Sequence, residues 1–306
     1  MYIERIMPRI ADHLFDCSIY LYRSVNAAEA GEGSGGCGFL VHVPSSKREN
    51  IVHLYGVTNK HVIDGGFRVL RLNTTAGPDT IPSDRQSWFD HPNGSDVTAL
   101  PIETLDAKFR WFSIPVNEFI SRETIEDYRI GPGDETFLIG RLITREGRQR
   151  NMPVVRFGNI SMMADPSEPV RRDDGGDQES FLVECRSLSG FSGSPVFVTT
   201  TQAYGPGHLP KEYQPGPRPA TVGVRTAHLG VFGTHGPWLL GIDWGHIRLW
   251  KSVYKADHET TADGLRVEAN TGIACVVPAW QILETLNQQE LVERRKEYDD
   301  GISRSG

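Results

Sequence analysis

No stretch of the 306-residue chain holds the uninterrupted run of about 20 apolar residues that a membrane-crossing helix needs, so a membrane is not expected as a partner. The opening, Met1 to Cys17, sets Glu4, Arg5, Arg9, Asp12 and Asp16 among its apolar residues and lacks the unbroken hydrophobic centre of a signal peptide. A cytoplasmic location is the expectation that follows. Basic runs are missing as well. With 32 Lys and Arg against 39 Asp and Glu, the formal net charge is −7, which argues against a phosphate-binding surface and against nucleic acid as a partner. Cysteine is scarce: Cys17, Cys37, Cys185 and Cys275 lie far apart, with neither C-x-x-C nor the Cys/His spacing of a metal site. They read as buried free thiols in a reducing compartment, and neither a metal nor a cofactor is called for.

Turn-formers, by contrast, are plentiful. The chain carries 32 Gly and 19 Pro, with 38% hydrophobic and 23% charged residues, a balance that suits a folded, turn-rich protein rather than a disordered one. Strand patterns run over Ser18–Arg23, Gly38–Val43, His53–Thr58, Phe67–Leu72, Val97–Ile102 and Glu135–Ile143. They continue over Val154–Ser161, Phe181–Cys185, Pro195–Thr199, Leu239–Trp244 and Gly272–Val277. So many strands with almost no helix between them predict an all-β barrel or sandwich. Helical spacing is confined to the ends. Ile10, Leu14 and Phe15 follow Pro8, while Trp280, Leu283 and Leu286 follow Pro278 and lead into a charged tail, Glu290 to Asp300, expected to fray into solvent. Asp165–Ser180 and Thr200–Pro219 are polar or proline-rich and read as long surface loops.

Three segments carry chemistry. Gly190-Phe191-Ser192-Gly193-Ser194-Pro195 runs straight into the apolar strand Val196-Phe197-Val198. Glycines on both sides of a serine permit a tight turn that exposes the hydroxyl and aims neighbouring N–H groups at one point, although the same cluster also suits a plain hairpin. Next, the strand that starts at His53 ends in Thr58-Asn59-Lys60 and delivers His61, and histidine is the base a serine nucleophile needs near neutral pH. Finally, Asn93-Gly94-Ser95 turns into Asp96 at the head of the strand Val97-Thr98-Ala99-Leu100, where a carboxylate can fix one imidazole tautomer.

Taken in the order His, Asp, Ser, each at a strand-to-loop junction, these segments resemble the chymotrypsin-like serine proteases, in the style of HtrA-type and other bacterial trypsin-like peptidases. Thr58–Val62 resembles the family's T-N-x-H-V segment, Asp96–Leu100 its D-V-A-x-L segment, and Gly190–Pro195 its G-x-S-G-[GS]-P segment. Gly35–Val41 and Leu240–Gly245 are weaker matches to the strand before the histidine and to the strand bordering the substrate cleft. The resemblance implies an all-β fold of two six-stranded antiparallel barrels with a C-terminal helix. Residues 1–120 would form the first, carrying His61 and Asp96, and residues 121–306 the second, carrying Ser192. It implies a serine endopeptidase acting on protein or peptide substrates, with Ser192 as nucleophile, His61 as base, Asp96 as orienting acid and the N–H groups of Gly190 and Ser192 as oxyanion donors.

Departures from the pattern sharpen these expectations. Phe191 stands where secreted members keep the aspartate that receives a newly cut N-terminus, so activation by such a cut is not expected. Arg186 falls at the position implied for the base of the specificity pocket, and Asp243, Trp244 and Gly245 on the wall of the cleft. A buried Arg186 needs a counter-charge: a substrate carboxylate, or Glu184 or Asp243 within the chain, with alternation along Phe181–Arg186 favouring Glu184. Gly31-Glu32-Gly33-Ser34-Gly35-Gly36 matches a dinucleotide fingerprint in form only, because a strand and not a helix follows it. An esterase on an α/β-hydrolase fold would need the order Ser, Asp, His. The competing reading from another class is a non-catalytic binding module built on a protease fold.

Overall fold

The computed structural model describes residues 10–142, 147–172, 174–185, 190–204, 231–254 and 261–304. The first half of the chain builds one sheet from β1 (Ser18–Tyr22), β2 (Gly36–Pro44), β3 (Val52–Thr58), β4 (Val69–Asn73), β5 (Pro78–Pro82), β6 (Phe89–Asp90), β7 (Thr98–Ile102) and β8 (Ile114–Pro115). Its order is β5-β4-β1-β2-β3-β7-β6, with β8 laid parallel on β2. One face encloses Ile19, Leu21, Leu40, Leu70, Trp88 and Leu100. The other, with Val41, Tyr55, Val57 and Ala99, shares a core with the second half. That explains why β1 and the start of β2 read as continuous apolar runs rather than alternating ones: both faces are buried.

The second half closes into a barrel of β9 (Glu135–Gly140), β10 (Val154–Met162), β13 (Phe181–Glu184), β14 (Pro195–Tyr204), β15 (Val231–Tyr254) and β16 (Thr261–Pro278), in the order β10-β13-β16-β15-β14-β9. Between β10 and β13 a small hairpin, β11 (Val170–Arg171) with β12 (Asp177–Gln178), stands as a separate two-stranded sheet. Helices are short or terminal: α1 (Val25–Ala30), α2 (Lys60–Asp64), α3 (Arg122–Tyr128), α4 (Ala279–Leu286) and α5 (Gln289–Arg304). No helix among the described residues is long and apolar enough to cross a membrane.

The all-β expectation holds, with corrections. Only the second barrel is closed. In the first sheet β5 and β6 do not pair; the connection between them is a 3-10 turn at Arg85–Ser87 followed by the buried Trp88, whose indole N–H donates to Ser83 Oγ at 2.9 Å. The segment Asp165–Ser180 is not a plain loop, since it holds the β11–β12 hairpin. Thr200–Tyr204, read as loop, continues β14, while the rest of that stretch lies outside the described residues. The charged tail does not fray: Leu291 and Asp299 are buried, Arg295 donates to the Tyr55 hydroxyl at 3.0 Å, and His53 meets Asp299 at 3.1 Å. The would-be dinucleotide loop starts at Gly31, which terminates α1 in the left-handed region (φ 66°), and leads into β2.

Candidate active site

His61 sits in the first turn of α2, directly after β3. The residues before it are structural anchors. The Thr58 hydroxyl donates to the Cys37 carbonyl at 2.6 Å, tying the end of β3 to β2. Asn59 occupies the N-cap position of α2, where a side-chain oxygen usually accepts a helix N–H. Here no such bond forms, and the Asn59 amide instead donates to the Asp96 carbonyl at 2.8 Å. Asp96 is therefore held by its backbone as well as by its carboxylate, which accepts the His61 main-chain N–H at 3.0 Å and faces Nδ1 at 2.6 Å. With the carboxylate accepting, the proton of a neutral imidazole resides on Nδ1 and leaves Nε2 with a lone pair.

The electrostatics at His61 are a contest. Withdrawal of the ring from water is the largest single influence and disfavours its charged form. The hydrogen bond and charge of Asp96, aided by Asp243 and opposed by Arg172, outweigh it and hold the pKa above the ordinary 6.5.

Ser192 reaches the same place from the other half. Its carbonyl accepts the Cys37 N–H at 2.8 Å, so β2 grips the serine turn directly. Gly193 and Asp243 are joined by an N–H to carbonyl bond of 2.8 Å, and Asp243 and Ser194 by another of 2.9 Å. Gly193 is obligatory here. Its φ of +87° lies in the left-handed region, and a Cβ would come within 1.8 Å of the Cys37 carbonyl oxygen. Gly190 is likewise left-handed, at φ +92°. Ser194 is fully buried, whereas Ser192 is half-buried. Phe191 is buried, and the Arg156 guanidinium lies over its ring at 4.9 Å.

His61, Asp96, Gly190, Ser192 and the Asp243–Gly245 strand line one cleft of about 720 Å³. Within it the Ser192 hydroxyl donates to the Trp244 carbonyl at 3.4 Å, a long bond, rather than to His61. Among the described residues, no main-chain bond engages the N–H of Gly190 or of Ser192. Asp243 is fully buried, and the Trp244 indole N–H is fixed by Ser180 Oγ at 3.0 Å. Arg186 lies outside the described residues. Glu184, the counter-charge favoured by strand alternation, is exposed, and its pairing with Arg186 falls outside the described residues. All four cysteines are free and buried. Burial raises the Cys17 and Cys37 thiols, and burial followed by Asp243 pushes Cys275 up to about 12.

Sequence reasoning missed the β11–β12 hairpin and its Gln178, whose Oε1 accepts the Asp96 N–H at 2.8 Å, and Arg172, which lines the cleft. Both sit in a polar stretch with no motif, and only their long-range partners reveal them.

No protein-family model matches the chain, and no curated protein matches it in sequence. Solved structures do. The protease domain of MamO from Magnetospirillum magneticum, in its apo form, aligns over 90% of this chain and 99% of that domain, with a TM-score of 0.50 and 15% identity. The HtrA-type protease AlgW with a decapeptide aligns over 85% of this chain and 52% of its own length (TM-score 0.43, 14% identity). The active form of the Rv3671c protease from M. tuberculosis aligns over 88% and 78% (TM-score 0.42, 14% identity). The chain has the chymotrypsin-like fold, a protease fold.

Proposed function

We propose that the protein is a serine endopeptidase that cleaves protein or peptide substrates through an acyl-enzyme, with residues 1–120 supplying base and acid and residues 121–306 the nucleophile. The observation that carries this reading is the His61–Asp96 pair at 2.6 Å opening on the same cleft as Ser192. In the reaction Ser192 Oγ attacks the scissile carbonyl while His61 Nε2 takes its proton, Asp96 holding the ring and balancing the imidazolium. The N–H groups of Gly190 and Ser192 receive the oxyanion. His61 then returns the proton to the leaving amine, and water, activated by the same histidine, releases the acyl group. Asp243, Trp244 and Gly245 form the wall along which the substrate chain lies, and Arg186 contributes to the specificity pocket. Free, buried thiols support a reducing, cytoplasmic setting.

One observation favours the second reading, a non-catalytic binding module: the Ser192 hydroxyl turns to the Trp244 carbonyl. Catalytic hydrogen bonds often tighten only with substrate bound, so this contact does not exclude the protease. A fluorophosphonate probe decides between them. Labelling at Ser192 that disappears in Ser192→Ala and His61→Ala supports the protease. An unlabelled wild-type protein that still binds peptides supports the binding module.

A further inference from the structure

Asp96 is steadied from the second half of the chain by groups outside the three motif segments. Gln178, on β12, is 1% exposed, and its Oε1 accepts the Asp96 main-chain N–H at 2.8 Å. Its Nε2 donates to Ser95 Oγ at 3.0 Å and to the Glu179 carbonyl at 3.1 Å. The Ser95 hydroxyl donates onward to Gln281 of α4 at 2.9 Å. On the same hairpin Arg172, paired with Asp174, donates to the Gly94 carbonyl at 2.9 Å and reaches Gln178 Oε1 at 3.5 Å. The hairpin thus takes hold of Gly94, Ser95 and Asp96 in succession. Within the first half, the Asn59 amide donates to the Asp96 carbonyl at 2.8 Å.

Gln178 is a neutral, buried group with both ends of its amide used, so its loss leaves the Asp96 N–H without its buried acceptor. We propose that Gln178 is a positioning residue for Asp96, and that the β11–β12 hairpin locks the acid loop of the first half to the second half, so that the His61–Asp96 geometry is complete only when the two halves are docked. The inference rests on the protease reading and adds to it a residue that no motif contains.

The test compares wild type with Gln178→Ala and Gln178→Glu, reading kcat and KM on a peptide selected from a library and the His61 imidazole titration by NMR. The charged groups facing His61 are Asp96 from the acid loop, Asp243 from β15 and Arg172 from the hairpin, and neither substitution removes any of them. Gln178→Ala is expected to lower kcat roughly ten- to hundredfold with KM unchanged, and to move the His61 pKa down as Asp96 loosens. Gln178→Glu keeps the acceptor for the Asp96 N–H and adds a negative charge. It is expected to retain most of kcat and to move the His61 pKa up. If Gln178→Ala does not fold, Gln178→Met, which keeps the volume and removes the acceptor for the Asp96 N–H, decides: a lowered kcat and a lowered His61 pKa support the proposal, and wild-type values of both overturn it. A drop in thermal stability with kcat and the His61 titration both unmoved overturns the proposal. Failure of the protease reading looks different, as a wild-type protein without labelling at Ser192, and the NMR titration remains readable in that case.

Discussion

The two halves of the molecule solve the problem of sheet edges in different ways. The second half closes its ladder from β9 round to β14 and needs no cover. The first half leaves β5 and β6 unjoined and is backed by pieces from the far end of the chain. Arg295 bonds Tyr55, His53 meets Asp299, the His91 ring faces Glu284 at 3.1 Å, and Gln288 donates to the Asp90 carbonyl at 2.9 Å. The proposed base and acid sit on the half that leans on its surroundings, and the proposed nucleophile on the half that closes itself. Docking therefore decides whether Ser192 and His61, one from each half of the chain, line one cleft.

The largest effect expected from breaking this arrangement is on chemistry. Asp96→Asn keeps the shape of the acid but favours the wrong histidine tautomer, and kcat should fall by about four orders of magnitude while folding stays intact by circular dichroism. An activity within tenfold of wild type would remove Asp96 from the mechanism.

Gly193→Ala attacks the seam itself. The added methyl is driven into the Cys37 carbonyl and the backbone loses a conformation that alanine resists. A loss of roughly 3 kcal/mol or more in urea unfolding is expected, with activity abolished. A normal unfolding midpoint would mean that the serine turn is not clamped to β2.

A smaller, one-sided effect tests the helical backing. Arg295→Ala removes bonds to Tyr55 and to the Leu286 carbonyl and should cost about 1–2 kcal/mol. Hydrogen exchange should rise in β3 and not in β14. Equal loss of protection in both would show that the halves share one cooperative unit.

The smallest effect is on pH dependence, where the histidines divide by sign. Burial is the main cause holding His42, His53 and His91, all in the first half, below the ordinary 6.5. Their unfolded forms bind protons that the folded forms refuse, so their contribution is full above that pKa and is lost as pH falls through it. His61 runs the other way, contributing below the ordinary value and losing it as pH rises through its raised one. Stability should fall gently between about pH 7 and pH 5, with exchange rising first in the first-half strands, and His53→Gln should flatten the slope. For activity, kcat/KM should rise with pH with a midpoint above 6.5, because only the neutral imidazole of His61 accepts a proton.

Residue identity and short-range pattern by themselves determined a good deal. Alternating and apolar runs marked β1, β2, β3, β7, β9, β10, β13 and β14 to within a few residues, apart from the extension of β14 to Tyr204. The glycine that permits the serine turn was legible because local geometry demands it, a left-handed φ, whereas the Thr-Asn pair before the histidine was legible only as a motif, its bonds running to the distant Cys37 and Asp96 carbonyls. What only tertiary structure decided is whatever depends on partners far along the chain. Gln178 is an ordinary polar residue until Asp96 is brought 2.8 Å from it, and Asp299 an ordinary tail charge until α5 lies against His53. Glu184 is exposed on β13 while Phe181 and Val183 are buried, a choice of face that alternation alone leaves open. Hydrogen bonds and burial across such separations leave no periodic trace in a sequence, since neither partner is constrained by its own neighbours.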